Sequence, residues 1–516
     1  MNRKTALHFG PGCLAGLLLG IGTVVGAAEY DQKIEKEFRV STGGKLIVQA
    51  DQGSIEVNSD AGDKVHVRVL HHIRGGSQAQ ADELFANHDV TFNQNGNTVS
   101  VIGRNKKDRF RFGSSRQPSL QVRYEIRIPR KYNVDLNTSG GDIRLGELEG
   151  AVITRTSSGS IDLGTISGRI ESSNSGGDIL VGHAGGDLVA HTSSGSIKVQ
   201  TASGKVEASN SGGDIRVDEA GQDVVARTSS GSITLKTVQR GVEARNSGGD
   251  IKIETAGADV AAQTSSGSIT IGQSKGKHVN ARNSGGAISA GEIEGDVVAQ
   301  TSSGSVRIAM VKGKAEVRNS GGQISIGEAG SSVVAETTSG SIEITTAKGK
   351  VEAKNSGGDV RIDQADGETV ARTSSGSIVI KLAKGKVDVR NSGGKIEVNE
   401  ARDVVLAHTS SGPIIVGLGA QPKADSHLEV SGGDITVTLP RSVAVDLDAE
   451  SSGGKVVSAI PVTTTVSGEQ KPGNLRGKIN GGGPMLSLRA SAGDIRLNES
   501  AALTIENSKS QNPNPK

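Results

Sequence analysis

The sequence predicts an all-β fold: a single-chain parallel β-solenoid (β-helix) of about sixteen 18-residue coils, with an N-terminal β-rich capping module and a degenerate C-terminal cap. Three observations carry this. A six-residue motif, TSGGDI at Thr138 and then TSSGSI and NSGGDI in alternation, returns at a fixed spacing. Within each repeat, apolar residues recur two apart, the spacing of an extended chain with alternate side chains inward. Gly-rich segments bound these runs as turns, and the runs are too short to bury a core alone.

The apolar residue that closes the motif falls at Ile143 and every 18 residues from there to Ile269. One step of 19 leads to Ile288, and steps of 18 resume to Ile414. The two motif types alternate, so the higher period is 36. With the closing residue counted as zero, apolar or small residues stand at plus 2, 5, 9 and 11, as in Ile197, Val199, Ala202, Val206 and Ala208. Each unit reads as two short strands and two bends. Stacking sets every closing Ile on that of the next coil, and at about 4.8 Å per strand the array extends roughly 75 Å.

Plus 13 continues the alternation and is expected to face inward. It holds Asn174, Thr192, Asn210, Thr228 and onward to Asn391 and Thr409. This is an Asn/Thr ladder at a corner, expected to satisfy turn backbone groups and its own members. Plus 8 is polar and alternates in sign over much of its length, as at Asp187, Lys205 and Asp223. Opposite charges on adjacent coils avoid like-charge stacking, which reads as a solvated face.

The ends differ from the array. Every aromatic residue after the N-terminal leader lies before residue 133, and no Pro occurs between Pro129 and Pro413. Residues 29–135 therefore form the N-terminal capping module, with period-two strands at 45–48, 54–57, 64–70, 98–102 and 120–128 and a short helix at 78–87. Its task would be to cover the open edge of the first coil. Residues 136–414 are the regular solenoid. Residues 415–506 keep the motif with longer, Pro-containing spacers and form the C-terminal cap. Residues 507–516 are an expected disordered tail.

Residues 1–28 read as a signal peptide: Arg3 and Lys4, an apolar stretch from Cys13 to Val25, and the small residues Gly26, Ala27 and Ala28 before a cleavage site. The apolar stretch is short for a membrane span, so no transmembrane segment is expected after cleavage. Cys13 is the only cysteine, which leaves the mature chain without disulfides, thiol catalysis or thiolate metal sites. Removing Arg3 and Lys4 from 58 basic residues leaves 56, against 56 acidic. That balance gives no pull toward nucleic acid or anionic lipid.

A search for chemistry yields no catalytic, cofactor-binding or metal-ligating residues. The motif aspartates Asp142, Asp178, Asp214 and Asp250 sit on every second coil, about 10 Å apart, too wide for shared metal ligation. The serines lack a G-x-S-x-G elbow, no H-E-x-x-H is present, and the histidines are scattered. His278 adjoins the one inserted residue, read as a bulge. A hydrolytic β-helix would need a break in the repetition with clustered acids and bases, and none is read. One basic patch stands out, from Arg104 to Arg116, with Lys106, Lys107, Arg109 and Arg111 around Phe110 and Phe112. It reads as a solvated hairpin loop, with anionic-polymer binding as the other reading.

The segment Tyr124-Glu-Ile-Arg-Ile-Pro129, leading through Val134-Asp-Leu to Ser139-Gly-Gly-Asp-Ile143, resembles the bacterial "putative adhesin" family of unknown function, with head-GIN-like repeats. Ile435-Thr-Val-Thr-Leu-Pro440 followed by Val445-Asp-Leu and Ser452-Gly-Gly repeats the likeness. The resemblance implies a β-solenoid at the cell envelope or surface and no catalytic residues. The chain departs from it in the length and regularity of its array.

The expected function is that of a non-catalytic exported envelope protein, an adhesin or structural scaffold presenting a repetitive face. The alternative is a polysaccharide-binding or polysaccharide-acting β-helix. No cofactor is expected. The expected partner is a protein or glycan in the periplasm or at the cell surface, and caps at both ends favour a monomer.

Overall fold

A computed structural model describes residues 28–106, 118–464 and 471–500. The chain forms a parallel β-solenoid of about 17 turns. Each coil has a six-residue strand in a first sheet and a five-residue strand in a second, as in Ile197–Ala202 and Val206–Asn210. Both sheets run parallel from coil to coil with equivalent repeat positions in register, Ile179 beside Ile197 and Leu188 beside Val206. The two inner faces meet in one continuous core of Ile, Val, Leu and Ala. The plus 0, 2, 5, 9 and 11 residues are buried along the array, as the period-two reading requires.

The single 19-residue step is visible in the register. Ser274 still pairs 18 residues back with Ala256, whereas Val279 pairs 19 back with Val260. The extra residue therefore lies in the turn 275–278 and leaves both sheets in phase.

The Asn/Thr ladder faces inward at the Gly-rich turn, and all its members are buried. Asn246 Nδ2 donates to the Gly231 carbonyl of the preceding coil at 2.6 Å, and its Oδ1 accepts from Gly248 N at 3.1 Å. Thr228 Oγ1 donates to the Gly213 carbonyl at 3.1 Å. Among the described residues these side chains bond turn backbone and not one another, which corrects half of the expectation. The reason is spacing: each reaches the turn carbonyl one coil back before it reaches the next rung. Asn246→Ala removes both bonds inside the core and is expected to lower stability by about 2 kcal/mol. Chemical denaturation checks this, and a loss below about 0.5 kcal/mol would contradict the ladder's role.

The charged columns also serve the backbone. At plus 8, Asp187 Oδ1 accepts from Lys205 N at 2.9 Å and Asp296 Oδ1 from Lys314 N at 2.8 Å. The motif aspartates do likewise, Asp178 with Ser196 N and Asp214 with Ser232 N, each at 2.7 Å. The sign alternation thus arises mainly from aspartates that cap the next coil's amide. The Lys350–Glu368 pair at 3.0 Å is a true ion pair of this column.

At the N-terminal end the strands are β1 (Glu29–Arg39), β2 (Gly44–Ala50), β3 (Ser54–Asp60), β4 (Lys64–Arg74), β5 (His88–Asn95), β6 (Thr98–Asn105), β7 (Leu120–Pro129), β8 (Tyr132–Thr138) and β9 (Ile143–Leu145). Helix α1 (Gln78–Asn87) is closed by a capping box of Ser77 and Gln80. The spatial order is not the chain order. In the first sheet it runs β1, β4, β7, β3, β9; in the second, β5, β6, β2, β8. The first coil of the chain, β2 with β3, is slotted inside the coil made by β6 and β7. Antiparallel β1, β4 and β5 close the end, and β1 is exposed and densely charged, as suits an edge.

The C-terminal end uses the same device. Strands Met485–Ala492 and Ile495–Glu499 lie between the coil of Ser426–Gly432 and Ile435–Leu439 and the coil of Val445–Ser451 and Val456–Ser458. Antiparallel Asn474–Ile479 then covers the second sheet. The stack runs through residue 135, which lies within β8. Among the described residues no helix is long and apolar enough to cross a membrane.

Candidate functional site

A long surface feature follows from the repeat. On the second sheet, plus 10 and plus 12 point outward and plus 14 opens the Gly-rich turn. Over successive coils plus 12, the plus 13 ladder and plus 14 line an axial groove, with plus 10 on the outer face beside it. One stretch encloses about 690 Å³ between Gln263 and Ser356, and a second of about 300 Å³ continues it back to His191. Every lining side chain is polar, with the plus 14 hydroxyls Ser265, Ser284, Ser302 and Ser320 on one side. Ten coils contribute, from His191 to Lys354, so the groove is roughly 43 Å long.

The cations that line the groove are compensated by acids of the adjoining plus 10 column. Acidic and aliphatic residues alternate at plus 10: Glu207, Val225, Glu243 and, further on, Val298, Glu316, Val334, Glu352. Cations stand beside the acids at plus 12. Arg227 pairs with Glu243 at 2.7 Å and Glu207 at 3.9 Å; Arg245 pairs with Glu243, and Arg318 with Glu316. Lys354 meets Glu352 at 2.6 Å and Glu336 at 3.2 Å. Exposed pairs of this kind contribute little stability each, about 0–1 kcal/mol. Their consequence is a hydrogen-bonding surface with little net field.

A shallower depression of about 440 Å³ lies beside the inserted turn, lined by Val225, Gly241, Glu243, Ala261, His278 and Asn280 among others. Gly241 and Ala261 withdraw side chains there. Asp259 and Asp223 are occupied as backbone caps, of His278 N at 3.0 Å and Gly241 N at 2.9 Å. No group of three or more His, Cys, Asp or Glu is placed to hold a metal among the described residues.

A buried polar chain lies in the N-terminal end. His71 Nδ1 is 3.0 Å from Gln32 Oε1, His71 Nε2 is 2.9 Å from His88 Nδ1, and His88 Nε2 is 3.2 Å from the Tyr124 hydroxyl. These residues come from β4, β1, β5 and β7. One proton assignment satisfies all of them with both rings neutral: Tyr124 O–H donates to His88, His88 Nδ1–H to His71, and His71 Nδ1–H to Gln32. Burial pushes the His71 pKa down to about 4, with His88 adding to the effect. Burial also lowers His88, opposed by Asp51 and Asp89, and raises Tyr124.

Sequence reading named no site residue, and it missed both features. The His chain left no local signal, because antiparallel pairing of distant strands assembles it. The groove did leave one, in its polar plus 12 and plus 14 columns beside a plus 10 column that alternates with period 36. Of the basic segment, Arg104 lies near the end of β6 and Lys106 just follows it, with Lys106 Nζ 3.9 Å from Asp89. Lys107, Arg109, Phe110, Arg111, Phe112 and Arg116 lie outside the described residues, as do residues 1–27 of the expected signal and the tail from 507. His183 and His191 sit on opposite sheets and bond Thr201 Oγ1 at 2.7 Å and Ser209 Oγ at 2.8 Å.

A family model described as Toastrack DUF4097 matches residues 44–255 and 239–399. No curated protein matches the sequence. Among solved structures, the chain is similar to a "putative cell adhesion protein" of Clostridium sporogenes at 9% identity, with 91% of this chain and 100% of that one covered and a TM-score of 0.15. It is similar to a "putative lipid binding protein" of Parabacteroides distasonis at 13% identity, covering 71% and 96%, with a TM-score of 0.17. A "putative adhesin" of Bacteroides fragilis matches at 13% identity, covering 70% and 97%, with a TM-score of 0.15.

Proposed function

The chain belongs to the Toastrack DUF4097 family, and from that premise we propose that it is an exported, non-catalytic interaction protein whose working surface is the axial groove of the second sheet. The observation that carries the reading is the groove itself: open, polar, charge-compensated and continuous over ten coils. Such a surface suits an extended partner lying along the solenoid. Catalysis calls instead for converging groups of perturbed acidity, and the perturbed histidines of this protein are buried away from the groove.

Within this reading residues 1–28 direct export, residues 29–135 and 415–506 cap a solenoid of residues 136–414, and the protein acts as a monomer. The caps block end-to-end pairing of coils. Adhesion at the cell surface is the working role. Antibody labelling of intact against permeabilised cells tests it. Label on intact cells is expected. Label that appears only after permeabilisation would overturn surface adhesion and leave a periplasmic scaffold.

A further inference from the structure

The plus 10 column beside the groove breaks its acidic–aliphatic alternation at one place along it, and this coincides with the one inserted residue. Strand His278–Arg282 follows the insertion directly and presents His278, Asn280 and Arg282 outward. On the equivalent strands plus 10 is acidic, as at Glu243, Glu316, Glu352 and Asp388. Each of those acids pairs with the cation two residues on. Here the acid is replaced by Asn280. The flanking strands supply Ala261 and Val298 at plus 10 and Gln263 and Gln300 at plus 12. Arg282 therefore has no acidic neighbour in these columns, and its Nε donates to Gln300 Oε1 at 3.3 Å. Asn280 Oδ1 is shielded and unpartnered, an unsatisfied acceptor where the regular array has a satisfied one.

We propose that Arg282, framed by Gln263 and Gln300, is an anion subsite of the groove that takes the carboxylate of an acidic polysaccharide. This rests on the reading of the groove as the interaction surface and names its ligand class. A guanidinium without a partner acid offers a fork of donors matched to a carboxylate. The amides beside it and the row of Ser265, Ser284 and Ser302 supply donors and acceptors at strand spacing, the repeat that ring hydroxyls of an extended glycan require. Nothing in the lining is apolar, so a peptide would find no pocket for a side-chain anchor. Local irregularity in an otherwise exact repeat is where function is expected to override regularity.

The test uses the purified full chain with polygalacturonate, neutral dextran and poly-glutamate as probes, read by calorimetry. Asn280→Glu restores the acid of the regular lattice and is expected to fold normally, so it removes the free cation without damage. Wild type is expected to bind polygalacturonate and not dextran. Arg282→Gln and Asn280→Glu should each weaken binding at least tenfold, with thermal unfolding unchanged, while Lys252→Gln, an ion-paired cation on the outer face of the first sheet, leaves binding as it was. The proposal is overturned if wild type ignores polygalacturonate, if both variants bind as wild type does, or if poly-glutamate binds equally well. Surface label with no polyuronate binding would reject this subsite alone. Polyuronate binding with label only in permeabilised cells would reject surface adhesion alone.

Discussion

Replacing Gly231 with alanine is expected to destabilise the array by about 3 kcal/mol, near the upper end for overpacking a core. Gly231 belongs to a column with one glycine per coil, including Gly195, Gly213, Gly249 and Gly267. A Cβ on Gly231 would overlap the Gly213 carbonyl of the preceding coil and stand 2.8 Å from Asp214 N. Backbone of this kind cannot swing aside as a flexible side chain would, because the same carbonyl is held by Thr228 Oγ1. The constraint is close approach between coils. Since a solenoid is stabilised by its nearest-neighbour interfaces, the defect should concentrate there. Denaturant unfolding, with hydrogen exchange on Ile215–Ala220 and Ile233–Val238, measures it. Gly248→Ala is the control. Its Cβ would meet Ser229 O at 3.2 Å, and the alternate coils already carry Ser230 at that place. Its effect should stay within about 1 kcal/mol. Equal losses at the two glycines would refute the close-approach account.

Acidification is expected to open the N-terminal end before the array. His71 and His88 are neutral in the folded chain, and a proton added to His71 Nε2 would face the His88 Nδ1–H that it now accepts from. Unfolded, a histidine takes up its proton near pH 6.5; folded, His71 does so only near 4. The folded state thus lags in proton uptake as pH falls. The stability is present in full above pH 6.5 and is lost between 6.5 and 4. The interval corresponds to about 3 kcal/mol for His71. His88 adds in the same direction, less the pull of Asp51 and Asp89. Opening free energies from hydrogen exchange should fall in β4 and β5 over this window and stay level at Ile233–Val238. A level response in β4 and β5 would mean that the chain is not held neutral.

The fold was legible in the sequence to an unusual degree because a stacked coil repeats its own environment. Ile179 lies against Ile197 for the same reason that Ile197 lies against Ile215, so spacing alone assigns strand, turn and facing. Five of the N-terminal strands were legible from period two, and the helix Gln78–Asn87 was also read, whereas β1, β5 and β8 were not. Beside the groove, the plus 10 column was present in the sequence as a 36-residue alternation. The significance of Asn280 appears only once plus 10 is known to lie beside plus 12 on an outer face.

The solenoid, its period, its inward ladder and the position of its one insertion follow from the order of residues along the chain. These are local or next-coil properties, and the period is restated in every coil. The closure of the ends follows from long-range pairing instead. Slotting β2 and β3 inside β6 and β7, and the last coil inside its predecessor, depends on pairing between segments far apart in the chain, and strands of similar pattern can pair in more than one order. The same long-range pairing brought His71, His88 and Tyr124 together. A period can be read from one chain in order; a neighbour that the fold inserts from elsewhere cannot.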